Sequence, residues 1–374
     1  MQDPTTLQVV WFGLISILWL GYFVLEGFDF GVGMLLRAVG RDTAGKRAVI
    51  HTIGPVWDGN EVWLLVAGGA TFAAFPELYA TLFSGFYVAL FVILAALIAR
   101  GVAFEFWGKD DNPRWRGTWE WAIIVGSALP ALLWGVAWAN IVAGVPLDRR
   151  AEFDGTLFDL LNVYGLLGGV TTLLLFLSHG ASFLALRTNG ELEERSRRLA
   201  RLFAPAAAAA VAVFLFWTIG KQANGDGVEP VSAILAAVAV LCAVSAVWRA
   251  VSRPGSAFAL SAGTIVALFT SLFAWLYPNA LVSSGPGPDL TLHAASSTNY
   301  TLTVMTVVAV LFVPLVLAYQ AWTYWVFRAR IGAEDFADVH SPIDLLARHG
   351  GGDGAAGTPG EPSAPGAPTA PTPS

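Results

Sequence analysis

Nine stretches of more than twenty mainly apolar residues divide this sequence, and their length limits what the chain can become. They run approximately over 7–36, 53–75, 77–107, 118–145, 157–188, 198–220, 230–252, 255–281 and 301–328, with short polar loops between them. A helix rises about 1.5 Å per residue, so roughly twenty apolar residues cross the ~30 Å hydrocarbon core of a bilayer. Lipid offers backbone N–H and C=O groups no partner, so each stretch must satisfy them internally as a helix. Composition agrees, since 56% of the 374 residues are hydrophobic, 13% are charged and the mean hydropathy is +0.62. The expected fold is an all-α polytopic membrane protein with nine transmembrane helices.

The first stretch starts almost at Met1 with neither a basic leading region nor a small-residue cleavage site, which reads as a first span and not a removable signal. The formal charge of −6 says little about partners in so apolar a chain, and no basic run suggests a nucleic-acid partner. The one cysteine, Cys242, lies in an apolar stretch, so neither a disulfide framework nor a thiolate metal site is expected. Past Ile331 the composition turns to Gly, Pro, Ala, Ser and Thr, which leaves nothing to bury. The chain therefore divides into a membrane domain, 1–331, and an expected disordered tail, 332–374.

Lys and Arg set the orientation. They collect after the first span (Arg37, Arg41, Lys46, Arg47), the third (Lys109, Arg114, Arg116) and the fifth (Arg195, Arg197, Arg198, Arg201). The alternate loops are poorer, and Arg328 and Arg330 follow the last span. An N-terminus outside and a cytoplasmic C-terminus satisfy this pattern.

On that topology the costly residues share one depth. Glu26 and Asp29 fall three apart in the cytoplasmic third of the first span, and "IGPVWDGNEVWLL" places Asp58, Asn60 and Glu61 at the same level of the second. Arg100 reaches it from the third. Each ionised group costs about 2.5–3.5 kcal/mol to insert, so a bundle must turn these five toward one another. Three uses remain open: a buried polar cluster that fixes helix register, a proton path open to the cytoplasm, or a cation or substrate site. The excess of acids over one arginine favours shared protons. Gly27 and Gly31 form a GxxxG, and with Gly59 they are expected to let helices approach closely around the cluster. Trp57 fits an interfacial anchor.

Haem held between histidines is disfavoured by placement. His51 is in a loop, His293 in another, His340 and His349 in the tail, and His179 stands alone in the fifth span, where a hydrogen-bonded core histidine is expected. Neither a metal site nor a catalytic group is assigned to this chain.

The stretches "LEGFDFGVGML", "GPVWDGNEVWLL", "FSGFYVALF" and "TLTVMTVVAVLFVPLVLAYQAWTYW" resemble subunit II of the cytochrome bd quinol oxidases, with a likeness that runs from about Val9 to Ile331. The resemblance implies two four-helix bundles plus one peripheral helix in a bacterial cytoplasmic membrane, paired with subunit I. Small single-span accessory subunits can join such a complex. It implies further that two haems b and one haem d sit in subunit I, that this chain ligates none of them, and that the complex oxidises quinol and reduces dioxygen. Asp58 then corresponds to the family's "WDG" aspartate, a proton relay nearest the subunit boundary, with Glu26 and Asp29 behind it and Arg100 as their charge partner. Glu61 departs from the family pattern, where glutamine is common, so its titrating role is less secure than that of Asp58. A proton-coupled secondary transporter is the alternative.

Overall fold

The structure, a computed structural model, describes residues 3–225, 227–250 and 253–337. A capping box opens α1 (Thr6–Val39): Thr5 N donates to Gln8 Oε1 at 2.8 Å, and Thr5 Oγ1 accepts from Gln8 N at 3.4 Å. Asp42 then caps α2 (Thr43–Ile53), an amphipathic helix where the sequence suggested only a basic loop. Its buried stripe of Ala48, Val49, Thr52 and Ile53 docks it on the membrane domain. The chain turns at Gly54–Val56, where Pro55 supplies no N–H, so α3 (Trp57–Ala74) starts later than the expected 53.

The expected third span is two helices, α4 (Pro76–Gly85) and α5 (Tyr87–Phe106), parted at Phe86. A Cβ on Gly85 would stand 2.6 Å from the Phe153 ring, so the loop that carries Phe153 packs into the break. Next come α6 (Pro113–Ala143) and the single turn α7 (Leu157–Leu160), with Asn162 capping α8 (Val163–Arg187) and so dividing the expected fifth span. Long α9 (Gly190–Asn224), α10 (Pro230–Arg249) and α11 (Pro254–Leu276) follow. Pro278 stops the eighth stretch short of its expected end. The following loop pairs β1 (Asn279–Leu281) with β2 (Leu290–Thr291), a small antiparallel ribbon in an otherwise helical fold, and α12 (Leu292–Ala295) leads to α13 (Asn299–Val326).

Eight of these helices are long and apolar enough to cross a membrane: α1, α5, α6, α8, α9, α10, α11 and α13. Helix α3, with Asp58, Asn60 and Glu61 in its opening turns, is not among them. Helix α1 packs against α3, α6 and α8, while α8 also packs on α9 and α10 on α11. Rings lock the centre, with Phe23 stacked on Phe269 at 4.2 Å and Trp134 Nε1 donating to the Tyr22 hydroxyl at 3.1 Å. Helix α13 runs along the outside, held at one end by Trp11 Nε1, which donates to Leu302 O at 3.1 Å. Beyond it, a 3₁₀ turn at Glu334–Phe336 brings the Phe336 ring 5.2 Å from that of His51 on α2. Residues 332–337 thus close on the membrane domain, and the remainder of the expected tail, 338–374, lies outside the described residues.

Candidate functional site

The i, i+3 spacing puts Glu26 and Asp29 on one face of α1, and both are fully buried, as is Arg100 of α5. Arg100 Nη2 pairs with Glu26 Oε1 and reaches Glu61 Oε1 of α3 at 3.4 Å. Its guanidinium carbon lies 4.9 Å from the Phe30 ring and 5.4 Å from Phe104, so aromatic faces cover what the carboxylates do not. Helix α6 closes the site from behind through Gly126, where a Cβ would come within 2.9 Å of Arg100 Cβ.

A second arm runs through Asn60, which is fully buried. Its Nδ2 donates to Asp29 Oδ2 at 2.7 Å, and its Oδ1 accepts from the Tyr324 hydroxyl at 2.7 Å and from Gln320 Nε2 at 3.4 Å. Trp63 Nε1 then donates to Gln320 Oε1 at 2.8 Å. A continuous polar thread thus ties α13 to α3 and α1. Sequence reasoning missed Gln320 and Tyr324. Their signal was the i, i+4 spacing of Gln320 and Tyr324 in an apolar span, which puts two neutral polar groups on one face.

When all are ionised, Glu26, Asp29 and Glu61 contribute −3 and Arg100 +1, a surplus of −2. Glu26 Oε2, Asp29 Oδ1 and Arg100 Nε and Nη1 are buried without a hydrogen-bond partner among the described residues. Buried polar atoms are nearly always paired, so these four leave the cluster short of hydrogen bonds within the described residues.

Five of the expected residues therefore meet: Glu26, Asp29, Asn60, Glu61 and Arg100. Asp58 does not join them. The buried stripe of α3 is Asn60, Ala67, Thr71 and Ala74, and Asp58 lies about 200° around the helix from Asn60, facing outward. There it is exposed, one turn from Glu61 along the helix. Glu61 bridges the two regions, with its side chain 24% exposed. Trp57 is half-buried, its ring 5.3 Å from Phe104. Gly27 packs under the Phe176 ring, and a Cβ on Gly31 would overlap the Phe176 carbonyl oxygen and the Gly180 backbone, so the GxxxG brings α1 against α8 as expected. Gly59 faces outward with nothing within 4 Å of a Cβ, so it gives the cluster no packing support among the described residues.

His179 is a buried, hydrogen-bonded core residue. Its Nδ1 lies 2.6 Å from Ser261 Oγ, its Nε2 lies 3.1 Å from Val24 O, and Phe258 stacks on the ring at 4.5 Å. Neither nitrogen is open to an iron, so this site does not fit an axial haem ligand. Among the described residues no group of three or more His, Cys, Asp or Glu is placed to hold a metal ion.

Fold and site define a polytopic helical membrane protein with a buried, acid-rich ionic cluster beside one lateral face. Comparison with known proteins makes the class specific. The chain belongs to the cytochrome bd terminal oxidase subunit II family, whose profile matches residues 7–327. It is 39% identical over 332 residues to the cytochrome bd ubiquinol oxidase subunit 2 of Bacillus subtilis, covering 88% of this chain and 98% of that protein. It is 36% identical over 377 residues to the cytochrome bd-I ubiquinol oxidase subunit 2 of Escherichia coli, covering 91% and 100%. A chain of the bd oxidase from Geobacillus thermodenitrificans shares the fold, with a TM-score of 0.72 at 16% identity over 86% of this chain and 99% of that one. The chain is thus a subunit of a terminal oxidase, and the transporter alternative finds no support.

Proposed function

We propose that this chain pairs with a haem-bearing subunit I in a bacterial cytoplasmic membrane, and that its buried cluster passes cytoplasmic protons to the dioxygen chemistry of the complex. Quinol oxidation and reduction of dioxygen to water belong to two haems b and one haem d in subunit I, and His179, the histidine buried within this chain's helices, has both ring nitrogens hydrogen-bonded. What carries the proposal is the surplus of buried carboxylates over Arg100, with one member, Glu61, opening toward Asp58 on the outer face.

In this reading the chain has nine spans, α3 being the ninth, with the N-terminus outside and the C-terminus cytoplasmic. The contacts among helices support two four-helix groups, α1, α3, α5 and α6 beside α8, α9, α10 and α11, with α13 peripheral. The outward face of α3 would meet subunit I and put Asp58 at the boundary. Asp29 and Glu26 hold protons behind it, Glu61 connects them outward, and Arg100 keeps part of the cluster charged and oriented. Protons taken from the cytoplasm, while quinol releases its own outside, charge the membrane without a pump.

Asp58→Asn in the intact complex tests this. Oxygen consumption at saturating quinol should fall at least about tenfold, as expected when a positioned proton carrier is lost, while the haem spectrum stays unchanged. Unchanged turnover would remove Asp58 from the path, and loss of the haems would make it structural.

A further inference from the structure

A second charged site lies away from the buried cluster, where the end of α1 and the start of α2 meet the start of α6. They enclose a cleft of about 490 Å³ whose charged lining is Arg37, Arg41, Lys46 and Arg116 against Asp111 and Glu120. Four cations and two carboxylates leave a surplus of +2. Glu120 is buried and clasped by Arg37 Nε at 2.7 Å and Lys46 Nζ at 2.8 Å, which fixes the floor. Arg116 pairs with Asp111 and donates to Asp110 O at 3.2 Å, which fixes one wall. Arg41 is exposed at the mouth and has no hydrogen bond or ion pair among the described residues.

What adjoins the cleft is apolar. The Arg37 guanidinium lies 4.7 Å from the Trp121 ring, which is itself 56% exposed, and Val125 one turn farther along α6 is 47% exposed. Trp115 and Trp119 pack at 5.6 Å on the same helix, with Phe106 5.4 Å from Trp119. Indole rings gather at the level of the lipid headgroups, so the cleft sits at that depth with hydrocarbon-facing surface directly below.

We infer that this cleft binds the phosphate of an anionic phospholipid, with Arg41 and Lys46 on the headgroup and the acyl chains along Trp121 and Val125. A preformed cationic cleft matches a phosphodiester, and charge-assisted bonds to arginine are the strong kind. A free phosphate ion would leave the adjoining apolar stripe unused. The inference does not depend on the proton path and would survive its failure.

The test uses the purified two-subunit complex stripped of lipid and titrated with dioctanoyl phosphatidylglycerol, following the thermal unfolding midpoint. A saturable rise is expected with this lipid and none with dioctanoyl phosphatidylcholine or inorganic phosphate. Arg41→Gln should raise the half-saturating concentration roughly tenfold, the loss of one charge-assisted contact. Arg41→Lys should stay within about threefold because it keeps the charge. Arg114→Gln, exposed and outside the cleft, should match the unaltered complex. An unchanged half-saturation in Arg41→Gln overturns the site, and an equal response to phosphatidylcholine overturns its charge selectivity. An equal response to inorganic phosphate overturns the lipid as its ligand. Should Arg41→Gln fail to assemble, the comparison of the three ligands on the unaltered complex decides alone.

Discussion

Asn60 donates to the buried carboxylate of Asp29 at 2.7 Å while accepting from the Tyr324 hydroxyl at the same distance. One amide therefore serves two helices besides its own. Asn60→Ala removes the donor that Asp29 faces and the acceptor that Tyr324 faces, and a buried group left unpaired costs about 1–3 kcal/mol. Tyr324→Phe deletes only the outer bond, worth about 1 kcal/mol. The thermal midpoint of the complex should fall clearly more in Asn60→Ala than in Tyr324→Phe. Equal losses would locate the effect in the docking of α13 and not in Asp29.

The pair of Arg100 and Glu26 is buried on both sides, so removing one partner differs from removing both. Arg100→Met leaves Glu26, Asp29 and Glu61 with no cation, at a cost of about 3–5 kcal/mol. Membranes carrying it should show little assembled oxidase by haem absorption. Adding Glu26→Gln relieves one uncompensated charge, and the double variant should recover part of that absorption. No recovery would assign Arg100's role to Glu61 and Asp29 instead.

How far the sequence could be read follows from what each residue costs. Glu26, Asp29, Glu61 and Arg100 are too expensive in hydrocarbon to stand apart, so their meeting was legible from depth alone. The outward turn of Asp58 was not, because the phase of α3 is set by the turn through Pro55, and a short shift of the helix start decides which side chains face in. Neutral polar groups such as Gln320 and Tyr324 barely disturb an apolar average, which hid the arm from α13. Beside the break at Phe86, Gly85 packs against Phe153 from far along the chain, a contact that local pattern cannot contain. Helix α2 was readable after all, from Asp42 as its cap and the i, i+3, i+4 stripe behind it.

Outside the spans, Asp159 closes a capping box on the turn α7, accepting from Thr156 N at 2.7 Å and Thr156 Oγ1 at 2.9 Å. These bonds favour the carboxylate and hold its pKa below the usual 3.8. A group whose pKa is lower folded than unfolded stabilises fully above its unfolded value and loses that contribution as pH falls through the folded one. Amide exchange at residues 156–160, corrected for intrinsic rates, should be level from pH 8 to about pH 5 and rise only in more acid solution. Asp159→Ala should raise it at neutral pH. A rise already between pH 7 and 5 in the unaltered protein would assign the protection to another group.

A close backbone contact beside the cluster is made by Gly31 of α1 on the Phe176 carbonyl and Gly180 of α8. A methyl group there has backbone on the far side, which cannot rotate away, so Gly31→Ala must push the two helices apart. Overpacking of this kind costs about 1–3 kcal/mol. Because Glu26 and Asp29 ride on the same helix, the shift also loosens their hold on Arg100 and Asn60, and both the thermal midpoint and oxygen consumption should fall. Gly220→Ala on α9 is the matched control, since among the described residues nothing lies within 4 Å of its added methyl and alanine favours the helix by about 1 kcal/mol. It should leave the midpoint unchanged or raise it. A fall in Gly220→Ala equal to that in Gly31→Ala would remove overpacking against α8 as the cause.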